Sequence, residues 1–298
     1  MSKKYVIYKT DLKYKNMRDI DVNKVDWTQN NIQHLLNTDH DTLQYRINEF
    51  NNKNTDLDFE MLNLETIPKI LRSDIFMNLK HLFLSNNKLE NCIDLSFFKN
   101  IETIDITNNS ISKILLPESL IELCACNNLI SEFVVNTKLK RLKISNNKLI
   151  NLNLPIGLEI LECNNNQITQ FDLRNNTNLK RLICHTNPLK ILHLANNIIY
   201  ADLSETLIES INNFYKLEHL VLNNCKNIKS LPLSDIIKKI ELIGTPIEKL
   251  YFYKNFELIL TQLNLTKNIS SKYKQSNANI QIRKNIYLVI SKNIHIFE

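Results

Sequence analysis

The sequence predicts a solenoid of the α/β class, mostly β, built from short copies of one unit. The first observation is an apolar pattern, LxxLxLxxNxL, that recurs nine times between Leu79 and Ile247. The second is its spacing, because the copies start 19 to 22 residues apart, as the stacked coils of a solenoid do. The third is alternation. Within each copy the apolar fourth and sixth positions alternate with mostly polar residues, which indicates a short strand with one buried side.

The return path of each coil is short. After the pattern a second pair of apolar residues recurs, as at Leu152 and Leu154. The whole return path has only eight or nine residues, so we predict an outer wall of extended segments or short 3₁₀ turns instead of helices. The longer copies near the start have more room, and we predict that Ser73 and Ser96 cap single helical turns there.

The repeat resembles the leucine-rich-repeat family over residues 57–266. Its length and the phrases "LPESLIEL" and "LPIGLEIL" resemble the short bacterial-type class of that family. The bias toward Asn, Ile and Lys resembles members encoded by AT-rich genomes, such as those of large DNA viruses of amoebae or their hosts. The resemblance implies a horseshoe of about ten to eleven coils, with a parallel sheet on the concave face.

The two ends differ from the repeats in character. Residues 1–56 carry apolar side chains at helical spacing between 27 and 52, which predicts one or two helices that cap the first coil. A weaker copy of the repeat is expected at Phe59-Leu62-Leu64, and another at Phe256-Ile259. Residues 267–298 alternate like strands and are expected to close the other end. Most of the net charge of +6 lies there, because residues 251–298 hold seven Lys and Arg against two acids.

Adjacent asparagines occur in most copies, and the second of each pair is the Asn of the pattern. A coil that turns from strand to outer wall leaves backbone N–H and C=O groups facing a dry core, and these groups must be paired. Asparagine supplies both an acceptor and a donor on a short stem. We therefore predict that these residues form a structural ladder between neighbouring coils and bind no ligand. Its members are Asn87, Asn109, Asn128, Asn147, Asn166 and Asn187.

The third, fifth and seventh positions of the pattern are expected to face the concave surface. They combine charges of both signs with apolar and aromatic residues, which is typical of protein recognition. Nucleic acid would select a single positive sign, so the surface argues against it. The candidate partner-binding residues are Phe83, Arg141, Lys143, Glu162, Arg181, Tyr200, Asp202 and His219.

Enzymatic and metal chemistry have little support. Only two glycines occur, whereas dinucleotide and phosphate loops need several at one turn. Cys124 and Cys126 point the same way, but no further Cys or His completes a tetrahedral metal site. The histidines expected on the concave surface, His81, His185 and His219, lie on separate coils. We expect no catalytic residues, no metal and no cofactor.

Three functional hypotheses remain open. The leading one is a non-enzymatic, monomeric protein that binds a protein partner through its concave face. The second is an F-box-like ubiquitin-ligase adaptor that uses the N-terminal helices, although the usual Leu-Pro opening is missing. The third is nucleic-acid binding through the basic C-terminus. The sequence contains no signal peptide or membrane-spanning run, so we expect reduced thiols and an intracellular, cytoplasmic protein, in the host cytoplasm if it is viral.

Overall fold

A computed structural model of the 298-residue chain shows how the repeats stack. The structure describes residues 42–43, 45–47, 50, 54–134, 138–211, 215–233, 236–247, 249–252, 287–290 and 295–297. The chain divides into two compact units, residues 1–45 and 46–298. In the first unit the few described residues are helical, and all the described strands lie in the second.

The main feature of the second unit is a parallel sheet of eleven described strands, called the concave sheet below. From β1 to β15 one strand comes from each successive coil, and every neighbouring pair in the sheet is parallel. The coils therefore stack in chain order, as predicted. In spatial order the strands are β1 (Asp56–Asp58), β2 (His81–Phe83), β4 (Thr103–Asp105), β6 (Glu122–Cys124), β7 (Arg141–Lys143), β8 (Ile160–Glu162), β10 (Arg181–Ile183), β12 (Tyr200–Asp202), β13 (His219–Val221), β15 (Lys239–Leu242) and β17 (Tyr287–Ile290).

From β1 to β12, each strand of the concave sheet buries its central residue and leaves the two flanking residues accessible, whereas in β13 Val221 is buried as well. In β7, Leu142 is fully buried while Arg141 and Lys143 face outward. The sixth position returns to the core, so Ile144 is also fully buried. Burying one such side chain stabilises the fold by about 1.5–3 kcal/mol, and every coil adds several of them.

The outer wall of the coils is extended, as predicted. Its described strands form three small parallel sheets, namely β3 (Glu90–Asp94) with β5 (Ser110–Leu115), β9 (Gln170–Asp172) with β11 (Ile191–His193), and β14 (Ser230–Leu233) with β16 (Lys249–Phe252) and β18 (His295–Phe297). Two 3₁₀ helices, Lys69–Arg72 and Asp74–Phe76, precede β2. The solenoid is thus mostly β with very little helix.

The predicted serine caps are wrong. The Ser73 hydroxyl donates to the Ile70 carbonyl at 2.7 Å, so it serves the end of the preceding 3₁₀ helix and makes no N-cap bond to the next one. The Ser96 hydroxyl donates to a carboxylate oxygen of Asp94 at 2.6 Å, within a turn. In both cases the hydroxyl donates to an oxygen that lies earlier in the chain.

The register predicted for the first coil is also wrong. Leu57 pairs with Leu82, so β1 begins before the expected position and Phe59 lies at the sixth position of the pattern. Residues from the segment before β1 cover this coil. Phe50 is 8% exposed and its ring lies 4.8 Å from that of Phe76, and Arg46 donates to the Asp58 carbonyl at 2.7 Å. The rest of the predicted N-terminal helices lies outside the described residues.

The last strands of both faces come from the end of the chain. β17 pairs with β15 in the concave sheet, and β18 pairs with β16 on the outer wall. The weak copy expected at Phe256-Ile259 lies outside the described residues. Within the described part of the chain, no helix has both the length and the apolar character needed to cross a bilayer.

Candidate interaction surface

The first and third residues of the concave strands form two rows across the stacked coils. We call the residues aligned with Arg141 the first row and those aligned with Lys143 the second row. All eight candidate residues fall on these rows, with Phe83 far from the others on β2. From β7 to β15 the first row is Arg141, Ile160, Arg181, Tyr200, His219 and Lys239, and the second row is Lys143, Glu162, Ile183, Asp202, Val221 and Glu241.

Five side chains of these rows form one connected chain of contacts. The Arg181 guanidinium lies over the Tyr200 ring at 4.1 Å from its centroid, a cation–π arrangement. The Tyr200 and His219 rings meet edge to face at 4.8 Å. His219 Nε2 lies 3.2 Å from Glu241 Oε1, and Lys239 Nζ lies 2.6 Å from the same oxygen. The Lys239 ammonium, by hydrogen bonding, lowers the pKa of Glu241.

The candidates nearer the middle of the sheet are held differently. Arg141 donates through Nε to Glu122 at 2.8 Å, and Arg181 Nε lies 3.9 Å from Glu162. Asp202 accepts only from the Ser204 amide, at 3.1 Å. Within the described ranges, neither Asp202 nor Lys143 has an ion-pair partner, so both are available to a ligand. Sequence reasoning identified these residues but not their pairing, because rotamers decide which neighbour each one reaches.

A further row of exposed ion pairs borders the sheet at the residue before each strand. Lys80 Nζ contacts Glu102 at 2.7 Å, and Lys238 Nζ contacts Glu218 at 2.7 Å. Exposed pairs of this kind contribute about 0–1 kcal/mol each. They add little stability, and they leave this border close to neutral.

The cysteines of the concave sheet are poor nucleophiles. Burial raises the pKa of the Cys124 thiol to about 12, and burial likewise raises the pKa of Cys126. The described residues contain no group of three or more His, Cys, Asp or Glu side chains placed to hold a metal ion. A thiolate at neutral pH, which nucleophilic or metal chemistry needs, is therefore disfavoured at this pair.

The second asparagine of each doublet joins its own coil to the preceding coil through its carboxamide. Asn147 Oδ1 accepts from the Ile130 amide at 3.0 Å, and its Nδ2 donates to the carbonyls of Ala125 at 2.9 Å and Ile144 at 3.1 Å. These three backbone groups would otherwise face the core. The same pattern of bonds is made by Asn87, Asn109, Asn128, Asn166 and Asn187.

The first asparagine of each doublet makes a second ladder, on the surface, that sequence reasoning missed. Asn146 Nδ2 donates to Asn127 Oδ1 at 2.7 Å, and Asn165 Nδ2 donates to Asn146 Oδ1 at 2.6 Å. Each of these residues has a left-handed backbone, with φ of 57° at Asn146. The doublet itself was the available signal, because asparagine tolerates this conformation better than most residues. The outer ladder consists of Asn86, Asn108, Asn127, Asn146 and Asn165.

The other two hypotheses depend on segments that lie largely outside the described residues. These are the N-terminal helices proposed for an adaptor and the basic segment that contains Lys272, Lys274, Arg283 and Lys284. No described contact supports either hypothesis.

Comparison with known proteins identifies structures of similar fold. No family model matches the sequence, and no curated protein matches it. Solved structures do match. The functional domain of InlJ from Listeria monocytogenes, which includes a cysteine ladder, has a TM-score of 0.57 and 22% identity, over 73% of this chain and 56% of that one. The LRIM1 leucine-rich repeat domain has a TM-score of 0.55 and 21% identity, over 71% and 72%.

A third match is a chain of the LRIM1/APL1C complex, with a TM-score of 0.53 and 22% identity, over 72% of this chain and 47% of that one. The chain thus spans about half the length of the first two structures in the comparison, InlJ and this complex. These neighbours are leucine-rich-repeat proteins, and the chain described here has the leucine-rich-repeat fold.

Proposed function

We propose that this chain is a non-enzymatic, monomeric interaction scaffold that binds a protein partner through the concave sheet. The observation that carries the proposal is the connected network from Arg181 through Tyr200 and His219 to Glu241 and Lys239. Each of these side chains is half-buried and held by its neighbour. A partner would therefore lose little side-chain entropy there on binding, which favours affinity.

The composition of the surface supports a protein ligand. Arginine and tyrosine are the residue types in which binding energy concentrates at protein interfaces. Arg141, Arg181 and Tyr200 lie within three strand spacings, roughly 14 Å, and fit inside one partner's footprint. One of the similar structures, LRIM1/APL1C, is itself a protein complex, which is consistent with a scaffold of this fold.

The test begins with purification of the tagged chain from its native cell together with whatever protein it retains. The variant Arg141→Ala/Arg181→Ala/Tyr200→Ala is then expected to lose that partner while its circular dichroism and melting stay unchanged. The matched control, Lys148→Ala/Lys190→Ala/Tyr215→Ala, removes the same kinds of exposed side chain away from the concave sheet and should retain the partner.

A second comparison separates this proposal from binding by the basic segment. In that variant Lys272, Lys274, Arg283 and Lys284 are changed to Gln. If only this variant loses the partner, with both chains folded, the concave sheet is not the binding surface and the coils serve as a spacer for a charged tail.

A further inference from the structure

We propose that the concave sheet recognises an α-helix that lies across its strands, with carboxylates on one flank and basic side chains on the adjacent flank. This inference rests on the proposed function and specifies the partner's chemistry. From β7 to β15 the charges on the first row are basic, at Arg141, Arg181 and Lys239. On the second row, Lys143 apart, they are acidic. The sheet thus presents two parallel stripes of opposite sign.

The two arginines are fixed but keep their binding atoms free. Each uses Nε toward a glutamate, Arg141 toward Glu122 at 2.8 Å and Arg181 toward Glu162 at 3.9 Å. In the described part of the chain, their terminal nitrogens make no hydrogen bond. A guanidinium held in this way offers its two outer N–H groups to one carboxylate in a bidentate pair. The first row is therefore prepared for acidic side chains.

The second row is prepared for basic side chains. Asp202 lies on the second row, beside Tyr200 of the first row. It is half-buried and has no basic partner among the described residues. Among the described residues, the one ion-pair contact of Glu162 is the long one to Arg181. A partner lysine or arginine would give Asp202 a counter-charge and Glu162 a closer one.

The spacing of these groups along the solenoid selects a helix. Arg141, Glu162, Arg181 and Asp202 lie on four consecutive strands, β7, β8, β10 and β12, so the two signs alternate every ~4.8 Å and each sign repeats every ~9.6 Å. A helix advances about 10.5 Å in seven residues and about 4.5–6 Å in three or four. Acids at i and i+7, with bases three or four positions after each, would face all four residues.

An extended partner does not fit the same spacing. Side chains on one face of a strand repeat at about 6.8 Å or 13.6 Å, and neither matches the ~9.6 Å between like charges. The two rows are themselves separated by two residues of a strand, about 6.8 Å, which lies within the width of one helix. The geometry therefore points to a single helix.

The test uses synthetic helical peptides of about 21 residues on an alanine background. In the first two probes, glutamates at i and i+7 are combined with lysines either three or four positions after each. The control peptide has the same composition, with its lysines moved to the opposite face at i+2 and i+9. Fluorescence anisotropy should show that one of the two probes binds at least about tenfold more tightly than the control, and that this binding weakens as salt rises.

Charge reversal in the protein provides the second measurement. Arg141→Glu/Arg181→Glu should bind the preferred probe at least about tenfold more weakly. The same variant should gain binding to a peptide in which lysines replace both glutamates. Lys148→Glu/Lys190→Glu makes the same change of net charge away from the concave sheet. This control variant should still bind the preferred probe more tightly than the control peptide.

The inference would be overturned if the control peptide bound as tightly as both probes. It would also be overturned if the charge-reversed protein lost binding to the preferred probe without gaining binding to the peptide in which lysines replace both glutamates. These outcomes are distinct from failure of the proposed function. If the native partner is lost in Arg141→Ala/Arg181→Ala/Tyr200→Ala but no peptide is preferred, the concave sheet binds a partner of another kind. If neither effect occurs, both proposals fall.

Discussion

The two asparagines of a doublet have the same side chain and different surroundings. Asn147 is buried and satisfies backbone groups of its own coil and of the preceding one. Asn146 is exposed, has a left-handed backbone and bonds to the equivalent asparagines above and below it. Substitution at the two positions should therefore destabilise the chain for different physical reasons.

At the inner position, Asn147→Ala should destabilise the chain by about 1–3 kcal/mol, because it leaves buried amide and carbonyl groups without partners. Asn147→Thr should be milder. Thr206 occupies the equivalent position in a later coil and donates to the Leu203 carbonyl at 2.7 Å. Denaturant unfolding of the three proteins measures the order. If Asn147→Thr is less stable than Asn147→Ala, threonine at this position does not make the bond that Thr206 makes in its own coil.

At the outer position, the backbone conformation should decide the outcome. Asn146→Ala and Asn146→Gly both remove the two ladder bonds, but alanine at φ of 57° adds about 1–2 kcal/mol of steric cost that glycine avoids. The glycine variant should therefore be the more stable of the two in denaturant unfolding. Equal stabilities would show that this backbone relaxes when the side chain is removed.

The thiols should differ in reactivity. Cys92 is exposed, whereas burial raises the pKa of Cys124 to about 12 and leaves little thiolate near neutral pH. Iodoacetamide followed by peptide mass spectrometry should label Cys92 well before Cys124 or Cys126. The same experiment in denaturant is the control, because the three rates should converge once the burial is lost.

At the scale of one strand, neighbouring residues should differ sharply in importance. Leu142→Ala empties a fully buried site between two coils and should cost about 2–5 kcal/mol. Lys143→Ala, on the same strand but facing outward, should change stability by less than about 0.5 kcal/mol. Thermal melting of the two variants checks this, and similar shifts in both would contradict the inward and outward assignment of β7.

The elements differ in how well the sequence predicts them. The pattern predicts the strands of the concave sheet from β2 to β15, because its leucines mark the buried positions and its period determines how the coils stack. The first coil was misaligned because it has no asparagine to mark the turn, and Leu62 stands in that place. β17 pairs with β15 although about 45 residues separate them, and a local pattern contains no information about such a pairing.

The candidate surface shows the same limit. The period of the pattern predicts which side chains share a row, since position in a strand determines the face on which a residue lies. It does not predict that Arg181 stacks on Tyr200, or that His219 and Lys239 share one oxygen of Glu241. Those contacts depend on side-chain rotamers and on neighbours some twenty residues away. The outer ladder likewise depends on a left-handed backbone that composition alone does not reveal.

For the whole molecule, the ends of the stack matter because a solenoid coil contacts only its neighbours. Phe50 covers the first coil through its contact with Phe76, and Phe50→Ala should cost about 3–5 kcal/mol. Hydrogen exchange should show the loss of protection beginning at β1 and β2. If protection falls equally in β12 and β13, the described coils unfold as one unit and the end has no special role.

The outer ladder also bears on how such a chain changes length in evolution. Each of its asparagines offers its neighbours the same donor and acceptor, so the two 19-residue units that begin at Leu120 and Leu139 are interchangeable in their bonding. Recombination between the matching gene segments would add or remove a coil without new chemistry. This freedom ends at the next coil, where Thr186 takes the left-handed position of the first asparagine and cannot supply the same amide donor. Duplications are therefore expected among the asparagine coils and not across that boundary.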